Sequence, residues 1–309
     1  MFFTVIIPLY NKKKYIKETI ESVLSQSYKK FEIVVLNDGS TDGGELVVKE
    51  MQEHDDRIKL INRENQGVSA ARNAAIAEAK YDYICLLDAD DEWTPDFLQV
   101  MIDMITEFPE HKIFSVRHEI VEKDGRIIVP PVGLPEGFCG ELESFINLYT
   151  HYAGLVNSSS VCLEKKYFQS LGGFPEDQEN GEDIYLWLLY GMNTDFVYKN
   201  KVCVHYYRDR EHSSTARMVH AKLPFQFEYF LNYEKNDQTK YLERYLRKSA
   251  LLHVGGLKTF DQTKLAVQHS LQFFEHSLLT GLLCLSVAIT PNFVIKAVKL
   301  SRDYMRSKD

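Results

Sequence analysis

"YICLLDADDEW", Tyr83–Trp93, passes from an apolar run into four acidic residues, Asp88, Asp90, Asp91 and Glu92, within five positions. Like charges crowded at the mouth of a hydrophobic strand repel one another and add nothing to a core. The arrangement therefore calls for a positive partner, and a divalent cation is the simplest one. Upstream, "TVIIPL" (4–9), "FEIVVL" (31–36) and "IKLIN" (58–62) are short apolar runs of the same kind. Between them Ile16, Ile20, Val23 and Leu24 recur at helical spacing, and "GVSAARNAAIAEA" (67–79) is rich in good helix formers. The alternation predicts a parallel sheet with helical crossovers over roughly the first 120 residues.

Farther along, Thr94 before Pro95 predicts an N-cap and the first turn of a helix running to about Phe108. "KIFSVRHEIVEKDGRIIV" (112–129) reads as a hairpin turning at Asp124 and Gly125, and "PPVGLPEGFCG" (130–140) as a surface loop. Strand-like "SSSVCL" (158–163), helices near 164–171 and 183–190, and strand-like "KVCVHYY" (201–207) follow. From Val219 onward only helices are predicted. The expected fold class is α/β, with one domain over residues 1–215 and a helical region over 216–309.

Ser277–Ile295 contains no charged residue, but Pro291 and Asn292 interrupt it, and Lys296, Lys299, Arg302 and Arg306 follow. A buried or interface-lying helical hairpin with a basic end suits this better than a membrane-spanning helix. A chain of 309 residues with 45% hydrophobic content can bury a sizeable core, and its net charge of -8 argues against nucleic acid as a partner. Of five scattered cysteines, without a C-x-x-C pair, most read as buried thiols in a reducing compartment. "MFFTVIIPLY" lacks a basic start and reads as a first strand, not a secretory signal, so a cytoplasmic location is expected, with peripheral membrane contact at the inner face.

In an open α/β sheet ligands gather beyond the carboxyl ends of the strands, where Asn11, "NDGSTDGG" (37–44) and "DADDE" (88–92) all fall. If the last of these is extended, Asp88 and Asp90 share one side roughly 6–7 Å apart and Asp91 points the other way. Hard oxygen ligands suit Mg²⁺ or Mn²⁺, which implies a phosphorylated substrate. Negative charge at a helix start explains Glu92 and Asp96 equally well, but not Asp88 and Asp90. "NDGSTDGG" can be a turn with a helix cap and no ligand, and Arg72 a surface residue.

Taken in order, "TVIIPLYN", "VLNDGSTD", "NQGVSAARNAAIAEA", "LLDADDEW" and "LGGFPEDQENGEDIYLWL" resemble the family 2 glycosyltransferases of the GT-A fold over about residues 3–210. The resemblance implies a nucleotide-diphosphate sugar donor, usually a UDP sugar, and transfer with inversion. It places Pro8, Tyr10 and Asn11 against the nucleotide, Asp38 at the base, Arg72 beside the donor, Asp88 near the ribose and Ala89 among the donor-binding residues. It puts Asp90 on a Mn²⁺ or Mg²⁺ ion bridging the phosphates, makes Asp183 the catalytic base, and gives Glu182 the task of orienting it or meeting the acceptor. Adjacent on a helix, Glu182 and Asp183 point about 100° apart and cannot share one job. Leu186, Trp187 and Leu189 anchor that helix, with flanking of the sugar an alternative for Trp187. His205 is either a further metal ligand or structural, and Arg208, His212, Ser213 and Ser214 are candidates for a loop over the phosphates.

The polymer-synthesising members show a Q-x-x-R-W motif that is absent here. The expected function is therefore addition of one hexose or N-acetylhexosamine to a saccharide or lipid-linked acceptor in surface-polysaccharide assembly. The alternative is a non-catalytic nucleotide-sugar-binding protein. Phosphoryl transfer is disfavoured, because aspartyl phosphatases carry their D-x-D after the first strand, which here ends in Pro-Leu-Tyr-Asn.

Overall fold

The computed structural model describes residues 1–176, 178, 181–208, 223, 226–230, 233–234, 236–292 and 295. The chain divides into two compact units, Met1–Ala216 and Arg217–Asp309.

In the first unit β1 (Phe3–Leu9), α1 (Ile16–Leu24), β2 (Phe31–Asp38), α2 (Gly44–His54), β3 (Ile58–Arg63), α3 (Val68–Ala77) and β4 (Tyr83–Leu86) alternate as expected. Every residue of β2 is buried, as a parallel strand covered on both faces requires. On α1 the buried positions Ile16, Thr19, Ile20 and Val23 follow the helical period. Ala70, Ala71 and Ala75 are buried where α3 lies close over β1 and β2.

β5 (Glu92–Trp93), α4 (Phe97–Glu107), β6 (Ile113–Val121), β7 (Ile127–Ile128), β8 (Cys139–Glu141) and α5 (Phe145–His151) follow. β9 (Val161–Glu164), α6 (Lys165–Ser170), α7 (Glu182–Asn193) and β10 (Phe196–Tyr207) complete the unit. The sheet runs β3-β2-β1-β4-β9-β6-β10-β5, with β7 on β6 and β8 on β10. β3, β2, β1 and β4 are mutually parallel, β9 enters antiparallel between β4 and β6, and β10 lies parallel to β6. Register aligns Leu9 with Asn37 and Ile6 with Leu86. The segments after β1, β2 and β4 therefore leave the same edge together.

Three local expectations are corrected. Asp88–Asp91 is a turn, closed by a hydrogen bond from the Asp91 amide to the Asp88 carbonyl (3.0 Å), so the alternation assumed for an extended strand does not hold there. Asp96, not Thr94, occupies the N-cap of α4: Thr94 is held back against β10 by the hydrogen bond from its amide to the Cys203 carbonyl, and its hydroxyl donates to Asp96 Oδ1 (2.6 Å). Ser158–Ser160 forms a 3-10 turn ahead of β9; the Ser160 hydroxyl takes the Asn157 amide and closes the turn where serine competes well with a strand ladder. The 112–129 hairpin forms with Gly125 at φ 82°, and the end of the 130–140 loop becomes β8.

The second unit contains α8 (Gln226–Phe230), α9 (Thr239–Thr259), α10 (Thr263–His276) and α11 (Leu278–Ile289). Ala250, Val254, Ala266, Phe273, Cys284 and Ala288 belong to its core. Gly281 lets α11 meet α10 closely, since a Cβ there would lie 2.4 Å from the Phe274 ring. Leu278, Leu279, Leu282, Leu283 and Ile289 are exposed on α11. Among the described residues no helix is long and apolar enough to cross a membrane. Lys296, Lys299, Arg302 and Arg306 lie outside the described residues.

Candidate active site

Pro8 is the penultimate residue of β1, and Tyr10 beyond it is exposed. Asn11 adopts φ 52°, a left-handed conformation that asparagine tolerates better than most residues. Its Oδ1 accepts the Thr41 amide (2.8 Å) and its own amide donates to Ser40 Oγ (3.1 Å). The Lys13 amide reaches Asp42 Oδ2 (2.8 Å), so the first and second loops are sewn together by protein groups. Much of "NDGSTDGG" is thereby explained as architecture.

Asp38 is buried. Its Oδ1 accepts from the Gln66 amide (3.0 Å) and Arg63 Nε (3.2 Å), and its Oδ2 from the Gly67 amide (2.8 Å). It fixes the turn that starts α3, and α3 carries Arg72 into the centre of the site.

Arg72 is only 4% exposed; its Nη2 donates to Asp88 Oδ1 (2.7 Å) and its Nη1 to Glu182 Oε1 (2.9 Å). The guanidinium also lies 5.2 Å from the Phe174 ring centroid. Burial disfavours its charge, but Asp88 and Glu182 more than offset this and hold it above its ordinary value. Motifs 110 residues apart in the chain are thus drawn together by one forked cation.

Within the acidic turn each carboxylate has its own environment. Asp88 faces Arg72, Asp90 accepts from Lys12 Nζ (2.5 Å), and buried Asp91 accepts from Ser159 Oγ (2.5 Å) and the Tyr207 amide (3.2 Å). Ser159 Oγ in turn accepts the Asp88 amide (3.1 Å), and Ala89 is buried between them in sequence. Burial, then the charges of Asp88 and Asp90, push the Asp91 carboxyl well up. Asp91 ties the acidic turn to the end of β10.

Glu182 and Asp183 begin α7 after Gly181, whose φ of 81° only glycine adopts without strain. Burial pushes the Asp183 carboxyl up to about 6, with the Glu182 charge adding to the rise and Arg72 opposing it. Trp187 is fully buried, which corrects the sugar-flanking alternative in favour of the anchoring one. His205 Nδ1 lies 2.7 Å from Glu119 Oε1, and the β10–β5 register sets His205 opposite Glu92. Arg208 Nη1 pairs with Glu122 (2.8 Å), while His212, Ser213 and Ser214 lie outside the described residues.

Sequence reasoning missed Lys12, Asn73 and the Asp91–Ser159 pair. Asn73 holds the segment before α7: its Nδ2 donates to the Phe174 carbonyl (2.8 Å) and Glu176 Oε1 (2.9 Å), and its Oδ1 accepts the Phe174 amide (2.9 Å). A polar residue beside Arg72 in an alanine-rich helix was the available signal.

Among the described residues no three His, Cys, Asp or Glu side chains gather to hold a metal ion by themselves. A magnesium-like cation in a phosphate-handling site needs only one or two carboxylates and completes its octahedron with phosphate oxygens and water. Asp90, with its side chain 17% exposed at a strand end, fits that limited task. Glu119 orients His205 as carboxylates orient metal-binding imidazoles.

The glycosyl transferase family 2 model matches residues 4–137. Glycosyltransferase GlyA of Streptococcus pneumoniae is 30% identical over 232 residues, covering 71% of this chain. The chain belongs to glycosyl transferase family 2. This family 2 chain spans 32% of GlyA, and glycosyltransferase GlyG of the same organism is 29% identical over 52% of this chain and 54% of its own length, so each match covers a part of the relative. S. aureus TarS 1–349 in complex with UDP-GlcNAc superposes with a TM-score of 0.73 over 92% of this chain and 84% of that one, at 18% identity. The same TarS fragment with UDP gives 0.61 over 97% and 92%. This likeness shows the GT-A fold expected for the family 2 chain.

Proposed function

We propose that the chain transfers one sugar, with inversion, from a UDP sugar to a saccharide or lipid-linked acceptor in surface-polysaccharide assembly. The observation that carries this reading is the Arg72 fork, which joins the acidic turn to Glu182, the chain neighbour of Asp183. The TarS complexes with UDP-GlcNAc and UDP support a uridine nucleotide on this fold.

Asp183 takes the proton of the acceptor hydroxyl as its oxygen attacks the anomeric carbon. The bond to the β-phosphate oxygen breaks on the opposite face, and the electron pair leaves with the nucleoside diphosphate. A bound Mn²⁺ or Mg²⁺ supplies charge to the departing phosphate, and Asp90, with His205 as second ligand, would hold it. Arg72 keeps Asp88 and Glu182 fixed, Pro8, Tyr10, Asn11 and Asp38 line the nucleoside side, and Asp88 and Ala89 lie on the donor side of the turn.

Thermal denaturation with Mn²⁺ and a panel of UDP sugars tests the donor class. A matching donor at about 100 times its Kd adds about 2.7 kcal/mol and raises the midpoint. Donor turnover stops on addition of EDTA. No shift with any UDP sugar, or turnover indifferent to the chelator, overturns the donor or the metal respectively.

The exposed leucines of α11 support peripheral contact with the cytoplasmic face of a membrane, since an exposed apolar helix face partitions into the interface. Leu278→Asp with Leu282→Asp is expected to lower co-sedimentation with anionic vesicles about tenfold or more. Unchanged co-sedimentation removes α11 from that role.

A further inference from the structure

Among the described residues Arg72 and Lys12 reach carboxylates of the acidic turn, and they are held differently. Arg72 is buried, forked between two carboxylates and packed beside an aromatic ring. Lys12 lies on the β1–α1 loop with its side chain 12% exposed, its ammonium on Asp90 Oδ2 at 2.5 Å and 6.0 Å from the Tyr15 ring centroid. Its backbone is fixed: its carbonyl accepts the Tyr15 and Ile16 amides, and the neighbouring Asn11 and Lys13 are tied to the second loop. Its charge, by contrast, is an ammonium on a four-carbon stem, a point charge that changes partners with little geometric penalty.

The geometry points to Lys12 as a tethered counterion that occupies Asp90 until nucleotide and divalent cation arrive together. The inference rests on the donor-site reading above, in which Asp90 is the metal carboxylate. Without nucleotide, a divalent ion must displace the ammonium from the same oxygen and then sit beside it, so it binds weakly. A pyrophosphate brings several negative oxygens, giving Lys12 a new partner while the divalent ion takes Asp90. Metal and nucleotide then strengthen one another's binding by the same factor, as linkage requires. Lys12 is a positioning residue in this scheme, acting through Asp90.

Manganese binding, read from the electron paramagnetic resonance of unbound Mn²⁺ with and without UDP, tests it on the full chain. Lys12→Met keeps the stem and removes the charge; it is expected to tighten binding of Mn²⁺ alone about tenfold, equivalent to about 1.4 kcal/mol. The enhancement that UDP confers shrinks correspondingly. Lys12→Arg restores weak Mn²⁺ binding, and Asp90→Asn abolishes binding in either background. Equal Mn²⁺ affinity in wild type and Lys12→Met, including none detectable in either, overturns the inference, as does weaker binding in Lys12→Met. Failure of the donor-site reading has a separate signature: in wild type UDP leaves Mn²⁺ binding unchanged and Asp90→Asn binds Mn²⁺ as well as wild type does.

Discussion

Replacing Asp183 by Asn lowers sugar transfer by about 10²- to 10⁴-fold, the span of a positioned general base, while UDP binding stays close to wild type. The amide still accepts the Ile184 amide as Asp183 Oδ1 does at 2.7 Å, so the start of α7 is preserved. A pH profile makes the assignment specific. With the Asp183 carboxyl pushed up to about 6 by burial and Glu182, wild-type kcat/KM rises with pH through about 6 and then levels, and the variant loses that rise.

Stability moves the opposite way. A carboxyl raised from 3.8 to about 6 is protonated only in the folded state between those values. Folded stability therefore falls as pH climbs through that window, and ionised Asp183 opposes folding above it. Asp183→Asn is expected to be more stable than wild type at neutral pH, by up to about 3 kcal/mol, with the advantage fading toward pH 4. Urea unfolding at two pH values measures this. An inactive variant that is also less stable at neutral pH would implicate misfolding instead of a missing base.

Arg72→Met is expected to cost about 3–5 kcal/mol of folding stability, the range for breaking one side of a buried ion pair. It leaves Asp88 and Glu182 facing each other without their shared cation, and sugar transfer is lost with the alignment of the two motifs. Adding Asp88→Asn and Glu182→Gln in the same chain removes the stranded charges and should return most of the stability without returning activity. A single variant within about 1 kcal/mol of wild type would mean that packing and not charge joins the motifs.

The N-terminal strands and helices were legible because burial on both faces makes β1 and β2 near-continuous apolar runs, while burial of one face imposes the 3.6 period on α1. The acidic turn stood out for a different reason: clustered carboxylates at a strand end repel one another and call for positive partners, which Arg72 and Lys12 supply to Asp88 and Asp90. Its conformation was misjudged, because Asp88–Asp91 is shaped by Ser159 and by β10, both distant in sequence. Lys12 was invisible among Lys12, Lys13 and Lys14, three neighbours with equal propensities, and its pairing with Asp90 could not be read from them.

Residue types and their local spacing thus settled by themselves the alternating elements, the family, and which carboxylates and which arginine deserve scrutiny. Only the tertiary structure decided the partners: Arg72 with Glu182 across 110 positions, Lys12 with Asp90 across 78, and β9 running antiparallel between β4 and β6. Periodicity follows from forces along a few neighbouring residues, whereas an ion pair depends on strand order, register and the reach of each side chain. Those are fixed only when the whole sheet has closed on its core.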